Sequence, residues 1–130
     1  MNTPEELQAT HQSAFEKIRK VNQQGQDFWS ARELARILGY QEYRNFLPVI
    51  IKAKDACVNS GQKISDHFVD IHEMVQIGSG ASREMPTIAF SRYACYLIVQ
   101  NADPSKPIVA LGQTYFAVQT RKQELILYSL

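Results

Sequence analysis

The 130-residue sequence has few cysteines, almost no net charge and no long apolar run. The two cysteines, Cys57 and Cys95, are too few for a disulfide framework, and their apolar surroundings are typical of buried, reduced thiols. Fourteen basic residues against 13 acidic ones exclude a strongly basic nucleic-acid-binding protein, so any contact with DNA requires a local cluster of cations. No apolar segment reaches the roughly 18 residues that a membrane-spanning helix needs.

The sequence also lacks internal repeats, low-complexity segments and the pattern of a signal peptide, because residues 1–19 are polar and acidic near their start. Hydrophobic residues make up 45% of the chain, which is enough for a core, and the length suits a single domain. We therefore expect a soluble, cytoplasmic domain with no membrane partner.

Patterns that would indicate a cofactor or catalysis are missing as well. The glycine-rich segment Gly78–Glu84 lacks the lysine and the spacing of a P-loop, so no nucleotide is expected. His67 and His72, with two nearby aspartates, do not have the spacing of zinc ligands. Cys95 could act as a nucleophile with a distant histidine, but its aromatic and aliphatic neighbours favour a thiol that packs as a small hydrophobe. We predict no metal, no cofactor and no enzymatic activity.

The patterns that are present predict an α+β fold in one small domain, with a helix pair, a β-hairpin and two C-terminal helices. Ser30 and Glu33 have the spacing of a capping box that begins a short helix, and Gly39 ends it. The next helix is predicted from about Glu42 to Asn59. Pro48 inside it implies either a kink or a start near Asn45.

A β-hairpin is predicted to join the segments Phe68–Ile77 and Thr87–Phe90, with the glycine-rich residues between them as a long flexible loop. Ser91 then caps a helix that extends to about Asn101. The last helix is predicted from Ile108 to about Leu125. This last helix has more apolar surface than one core-facing stripe requires, which favours either deep burial or a homodimer across a two-fold axis. We prefer the homodimer, with an interface formed by Leu111, Gly112, Tyr115, Val118, Leu127 and Leu130.

The first helix pair raises the question of DNA recognition. Ala35 and Gly39 have the mutual spacing of a helix-turn-helix, but Asn45 stands where an apolar residue should lock the second helix, and Pro48 disturbs that helix. A helix pair that packs on the core through Trp29, Leu34 and Phe46 and brings arginines near phosphates is the preferred interpretation. The cations predicted to contact DNA are Arg32, Arg36, Arg44, Lys52 and Arg83.

Two further features have alternative interpretations. Arg83 lies near the tip of the glycine-rich segment, which would either follow a phosphate backbone or enter a minor groove, or form a mobile solvent loop. Tyr93 and Tyr96 would either stack on the bases of single-stranded DNA or serve as ordinary core aromatics. For at least one of these tyrosines we favour the core.

Long segments of the sequence resemble the N-terminal region of the DNA-damage-inducible protein D family: WSARELARILGYQEYRNF, AKDACVNSG, DHFVDIHEMVQIGSGASRE and SRYACYLIVQNADPSKPIVALGQTYFAVQTRKQEL. That region is similar to the BRO-N domain of viral BRO proteins and phage antirepressors. The resemblance covers residues 14–125, so we expect residues 1–13 to form a loosely held N-terminal segment and residues 126–130 an apolar C-terminal tail. Family members carry a further helical region after this domain, so the chain is either a stand-alone domain or a truncated relative.

The resemblance implies a BRO-N-like fold in a non-enzymatic, DNA-associated bacterial protein of the SOS and DNA-damage response or of phage control. Our preferred hypothesis is a regulatory module that binds the DNA phosphate backbone with moderate to low affinity through a local basic patch. The alternative is an antirepressor-like protein-interaction module that docks on a DNA-bound protein.

Overall fold

The computed structural model of the chain describes Thr3, Glu6 and residues 14–129. These residues form an α+β fold in which helices pack against an antiparallel sheet with the strand order β1-β2-β4-β3. Residues 14–17 are helical and precede the sheet. The other elements are β1 (Lys20–Val21), β2 (Asp27–Ser30), α1 (Ala31–Ile37), α2 (Leu47–Asn59), β3 (Phe68–Gln76), β4 (Ser82–Phe90), α3 (Arg92–Asn101) and α4 (Pro107–Ser129).

Serine side chains begin two of the helices, as the sequence predicted. The Ser30 hydroxyl accepts a hydrogen bond from the Glu33 N–H at 3.5 Å, and the Ser91 hydroxyl accepts one from the Ala94 N–H at 3.0 Å. Glu33 does not complete a capping box, because its carboxylate pairs with Lys20 instead. Gly39 ends α1 with a φ of 90°, a conformation that a residue with a side chain rarely adopts.

The helix predicted from Glu42 begins later. Residues Tyr43–Asn45 form a 3₁₀ turn, and α2 starts at Leu47 with Pro48 in its first turn. A proline is tolerated there because the first N–H groups of a helix have no partner within the helix. The structure thus agrees with a helix that starts near Asn45 and excludes a kinked helix from Glu42.

The hairpin is longer than predicted, because residues 82–86 belong to β4 and not to a loop. β3 and β4 pair without interruption from Phe68 opposite Phe90 to Gln76 opposite Ser82. The turn consists of residues 77–81 and is closed by a 2.9 Å hydrogen bond from the Ile77 N–H to the Ala81 carbonyl. Arg83 is therefore part of a strand, which corrects its predicted place near the tip of a flexible loop.

The core joins one face of the sheet to α1, α2 and α3. Trp29, Phe46, Phe90 and Ile98 are fully buried in it. The Trp29 indole stacks on Phe15 with 4.3 Å between the ring centroids and donates to the Phe15 carbonyl at 3.0 Å. These contacts hold the helical residues 14–17 against the domain.

The final helix, α4, packs on the domain only along its first half. Val109 and Gly112 are buried, the Gln113 amide donates to the Val99 carbonyl at 3.1 Å, and the Phe116 ring lies 5.0 Å from that of Tyr96. The helix continues beyond Leu125 to Ser129, and its last turns expose four apolar side chains: Leu125, Ile126, Leu127 and Tyr128. Among the helices in the described residues, none is long and apolar enough to cross a membrane.

Candidate nucleic-acid interface

Two of the five predicted cations line a groove of about 390 Å³ between α1 and the end of β3, which we call the α1–β3 groove. One wall is α1 and the segment that follows it, and the other wall is the strand from Glu73 to Gln76. The lining residues include Arg32, Glu33, Arg36, Tyr40, Tyr43, Glu73, Met74 and Val75.

Arg32 is held by contacts within the domain. Its guanidinium donates from Nε and Nη2 to the Pro86 carbonyl at 3.3 and 3.1 Å. The same group lies 4.3 Å from the centre of the Tyr43 ring, a cation–π distance. Arg32 therefore joins α1 to β4, and these contacts leave less of its guanidinium for a phosphate.

Arg36 and Arg83 face the same side of the molecule. Arg36 is exposed and lines the α1–β3 groove. Arg83 is exposed on β4 directly opposite Val75, which also lines this groove. Because directly opposed residues of two paired strands project from the same face, the Arg83 side chain lies on the groove side of the hairpin. Neither arginine forms an ion pair with any residue that the structure describes.

Lys52 lines a second groove, whereas Arg44 lines neither of the two grooves. The second groove has a volume of about 670 Å³ and lies beside the start of α2, with Lys52 and Glu42 in its lining. Lys52 is exposed and, within the described residues, makes no ion pair. Arg44 is also exposed, but its Nε lies 2.6 Å from a Glu42 carboxylate oxygen. The two grooves share Tyr40 and Gln41, so they adjoin along this segment.

A cation that the sequence did not indicate, Lys106, also lines the second groove. Its ammonium donates to the Gly39 carbonyl at 3.1 Å and lies 4.6 Å from the centre of the Tyr40 ring. Next to it, a hydrogen bond from the Ser105 N–H lowers the pKa of Asp103. The only sequence signal for Lys106 was its position just before Pro107, in the turn that begins α4.

Acidic groups offset the charge of the α1–β3 groove. Glu73 accepts a 2.9 Å hydrogen bond from the Ser30 hydroxyl, and Glu33 pairs with Lys20. Two arginines and two glutamates thus line one groove. This balance limits the attraction of the groove for a polyanion, in keeping with the small net charge of the chain.

The connection between α1 and α2 does not have the geometry of a helix-turn-helix. That motif joins its helices through a turn of about three or four residues, whereas residues 38–46 separate α1 from α2 and include the 3₁₀ turn. Trp29, Leu34 and Phe46 are buried, which confirms that this stretch forms a corner of the core.

The other residues that the sequence suggested for metal binding, catalysis or base stacking contact, or are buried among, residues of the domain itself. The His67 Nδ1 lies 2.7 Å from the Ser91 hydroxyl, and its ring centroid lies 4.6 Å from that of Tyr93. Cys57 and Cys95 are buried free thiols, as predicted, and burial raises the pKa of Cys95 far above its ordinary value. Among the described residues, no cluster of three or more histidine, cysteine or carboxylate side chains could hold a metal ion.

The residues of the predicted dimer interface have different degrees of exposure. Gly112 is buried, whereas Leu111, Tyr115 and Val118 are half-buried on α4. Leu127 has 57% of its surface exposed. Leu130 lies outside the described residues.

Comparison with known proteins identifies the family. The profile of the BRO family, N-terminal domain, matches residues 17–117. The chain is also 58% identical over 115 residues to DNA damage-inducible protein D of Escherichia coli (strain K12), an alignment that covers 88% of this chain and 42% of the relative. The chain thus spans less than half the length of that relative. No solved structure shows significant similarity. The matched residues include the whole sheet, both grooves and the packed half of α4, and the chain accordingly belongs to the BRO family, whose N-terminal domain it carries.

Proposed function

We propose that this domain is a DNA-associated regulatory module of the DNA-damage response or of phage control, and that it acts by binding rather than by catalysis. Family membership and the name of the E. coli relative support the regulatory context. Because the chain corresponds to less than half of that relative, the proposal concerns the N-terminal domain alone.

The observation that carries the proposal is a set of three exposed cations, Arg36, Lys52 and Arg83, which form no ion pair within the described residues. Arg36 and Arg83 flank the α1–β3 groove, and Lys52 lines the adjoining groove. Phosphate oxygens are natural partners of such groups, because arginine and lysine supply most of the sequence-independent affinity for DNA. Arg32 and Arg44 contribute less, because each already has a partner in the domain.

This arrangement predicts moderate to low affinity and a clear dependence on salt. A protein that neutralises about three phosphates should show a slope of log K against log salt near −3 for duplex DNA. Fluorescence anisotropy of a labelled duplex, titrated with protein at several NaCl concentrations, measures this slope.

The matched variants are Arg36→Ala, Lys52→Ala and Arg83→Ala, combined in one chain, against Arg121→Ala. Arg121 is an exposed arginine on α4 that pairs with Glu124 at 3.0 Å, away from both grooves. The triple variant should bind more weakly and with a flatter salt slope, whereas Arg121→Ala should bind like the unaltered chain. Absence of binding by the unaltered chain at about 50 mM salt, where counterion release favours the complex, would refute the proposal.

A second function, docking on a DNA-bound protein, is favoured by the two glutamates in the α1–β3 groove and by the exposed apolar end of the hairpin. Met74 is 66% and Ile77 50% exposed, on a projecting two-stranded segment. A mobility shift that requires added cell extract, persists in the triple cation variant and disappears in Met74→Glu would select this function over direct DNA binding.

A further inference from the structure

β3 is an edge strand, because β4 lies on one side of it and no described strand lies on the other. An edge strand presents a row of unpaired N–H and C=O groups that another chain can use. The nine residues Phe68–Gln76 make this edge long for a domain of this size. Which of their backbone groups point outward can be worked out from the hairpin.

Arg32 and Pro86 fix that pattern. The Pro86 carbonyl accepts from Arg32, and proline has no N–H, so neither group of Pro86 serves β3. Pro86 stands opposite His72, and this pair is therefore one of the non-hydrogen-bonded pairs that alternate along an antiparallel ladder. The N–H and C=O of His72 consequently point away from β4. The Ser91 N–H donates to the His67 carbonyl, and the Ile77 N–H donates to the Ala81 carbonyl. His67 and Ile77 have odd numbers, so these bonds agree with a ladder in which the odd-numbered residues of β3 bond to β4 and the even-numbered ones do not.

By the same alternation, five residues of β3 direct both backbone groups to the free edge: Phe68, Asp70, His72, Met74 and Gln76. This edge carries the charged residues Asp70 and Glu73 but lacks three other forms of protection. Its pairing with β4 has no bulge, and its sequence contains neither lysine nor proline, the devices that commonly prevent strand addition. The edge of β4 that β2 leaves unpaired is different. There the Pro86 carbonyl is already bound by Arg32, and Pro86 has no N–H to donate.

We propose that a second copy of this chain adds to the β3 edge, with the two β3 strands antiparallel and the two-fold axis at Ile71. Outward-facing residues must then oppose outward-facing residues. In this register Asp70 of each copy faces His72 of the other, so two complementary polar pairs form. Phe68 stands opposite Met74 of the other copy, but its side chain is buried in its own core, so this pair contributes through its backbone groups.

The charge pattern favours this register over the one with the two-fold axis at His72. With the axis at His72, the two His72 side chains would face each other and Asp70 would face Met74, so no acid would meet a base. The preferred register uses residues 68–74 of each copy and can form about eight interchain backbone hydrogen bonds. It joins the two sheets into one and does not depend on the proposed binding of DNA.

Disulfide trapping tests the register. At a two-fold axis through Ile71, the two Cα atoms form a non-hydrogen-bonded pair about 4.5 Å apart, within the range that a disulfide spans. Ile71→Cys should therefore form an interchain disulfide under mild oxidation. Val69→Cys is the matched control, because Val69 projects from the same face but would lie roughly 13 Å from its own copy.

The control is demanding because Val69 is more exposed than Ile71, so random collisions would crosslink Val69→Cys more readily. Cys57 and Cys95 are both fully buried and should not interfere. Efficient crosslinking of Ile71→Cys alone supports the proposal. Equal crosslinking of both variants, crosslinking of neither, or preferential crosslinking of His72→Cys would overturn it.

Charge exchange tests the Asp70–His72 pairs separately, by sedimentation at micromolar concentration of chains that also carry Leu127→Glu, so that the predicted contact through α4 does not contribute. His72→Glu places like charges opposite each other twice and should raise the dissociation constant about tenfold. Adding Asp70→Lys to His72→Glu restores two acid–base pairs and should restore association. Both positions are exposed, so the variants should fold, which circular dichroism verifies. An unaltered dissociation constant in folded His72→Glu would overturn the register.

Discussion

Arg32 and Arg36 illustrate how far a sequence can specify the role of a single residue. Four positions apart on one helix, they are equivalent as sequence and were both predicted to contact phosphates. In the structure Arg32 binds the Pro86 carbonyl, 54 residues away, and lies over Tyr43, whereas Arg36 is exposed to solvent. The difference arises from strand pairing distant in sequence, which no local pattern contains.

This difference predicts opposite phenotypes for two alanine variants. Arg32→Ala should lower the free energy of unfolding by about 1 kcal/mol, because it removes two hydrogen bonds and a cation–π contact at a partly exposed site. Arg36→Ala should change it by less than about 0.5 kcal/mol while weakening DNA binding. Urea denaturation measures the first effect. Arg32→Lys is a further variant, which keeps the charge but cannot donate to the Pro86 carbonyl from two nitrogens of a planar guanidinium. Equal stability of Arg32→Ala and Arg36→Ala would contradict these roles.

At the scale of elements, helix ends set by neighbouring residues were predictable from the sequence, whereas a strand boundary set by pairing with a distant strand was not. The start of α1 at Ser30, its end at Gly39 and the start of α3 at Ser91 follow from short-range hydrogen bonding and backbone conformation. The start of β4 was placed five residues late, because Arg83 to Pro86 have no apolar alternation and a proline argues against a strand. Their pairing is imposed by β3, which supplies a partner for every residue of the segment.

Ser30 links three elements and predicts a larger effect than a simple cap. Its hydroxyl accepts from the first turn of α1 and donates to Glu73 on β3. Ser30→Ala should lower the free energy of unfolding by about 1 to 2 kcal/mol, because it removes both bonds at a buried position. Ser82→Ala, at an exposed position on β4, is the control and should stay within about 0.5 kcal/mol of the unaltered chain. If Ser30→Ala had the same stability as this control in thermal and urea unfolding, the hydrogen bonds of Ser30 would not contribute to the free energy of unfolding.

At the scale of the whole molecule, the family, the α+β class and the order of elements were predictable, and the site only in part. The sequence identified Arg36, Lys52 and Arg83 as exposed cations, but not the two grooves that they flank, the acids that offset them or Lys106. Groove shape and pairing depend on the packing of α1, α2 and the hairpin, so they follow from the tertiary structure and not from spacing along the chain.

The homodimer through α4 stays a prediction, and it uses a surface separate from the β3 edge. Four exposed apolar side chains close this helix, more than a monomer normally leaves in water. A chain that used both contacts would form species larger than a dimer, because two different two-fold contacts do not close within one pair.

Blocking one contact at a time separates these surfaces in analytical ultracentrifugation. Ile71→Lys places a charge on the β3 edge and should leave a species of about twice the 14.8 kDa chain mass, held by α4. Adding Leu127→Glu should then give the monomer. A monomer already in Ile71→Lys would contradict the α4 contact, whereas an unaltered mass in the double variant would show that neither side chain carries association.

The position of Pro86 has a consequence for the timescale on which β3 exchanges its amide protons with deuterated solvent. Because Pro86 sets which residues face β4, the amides of residues 69, 71, 73 and 75 should exchange slowly and those of residues 68, 70, 72, 74 and 76 quickly. In a copy paired at Ile71, the amides of residues 68, 70, 72 and 74 should become slow, whereas that of Gln76, beyond the paired stretch, should remain fast. Exchange measured by NMR at low and high protein concentration would therefore report, residue by residue, whether the edge of the sheet is open or occupied.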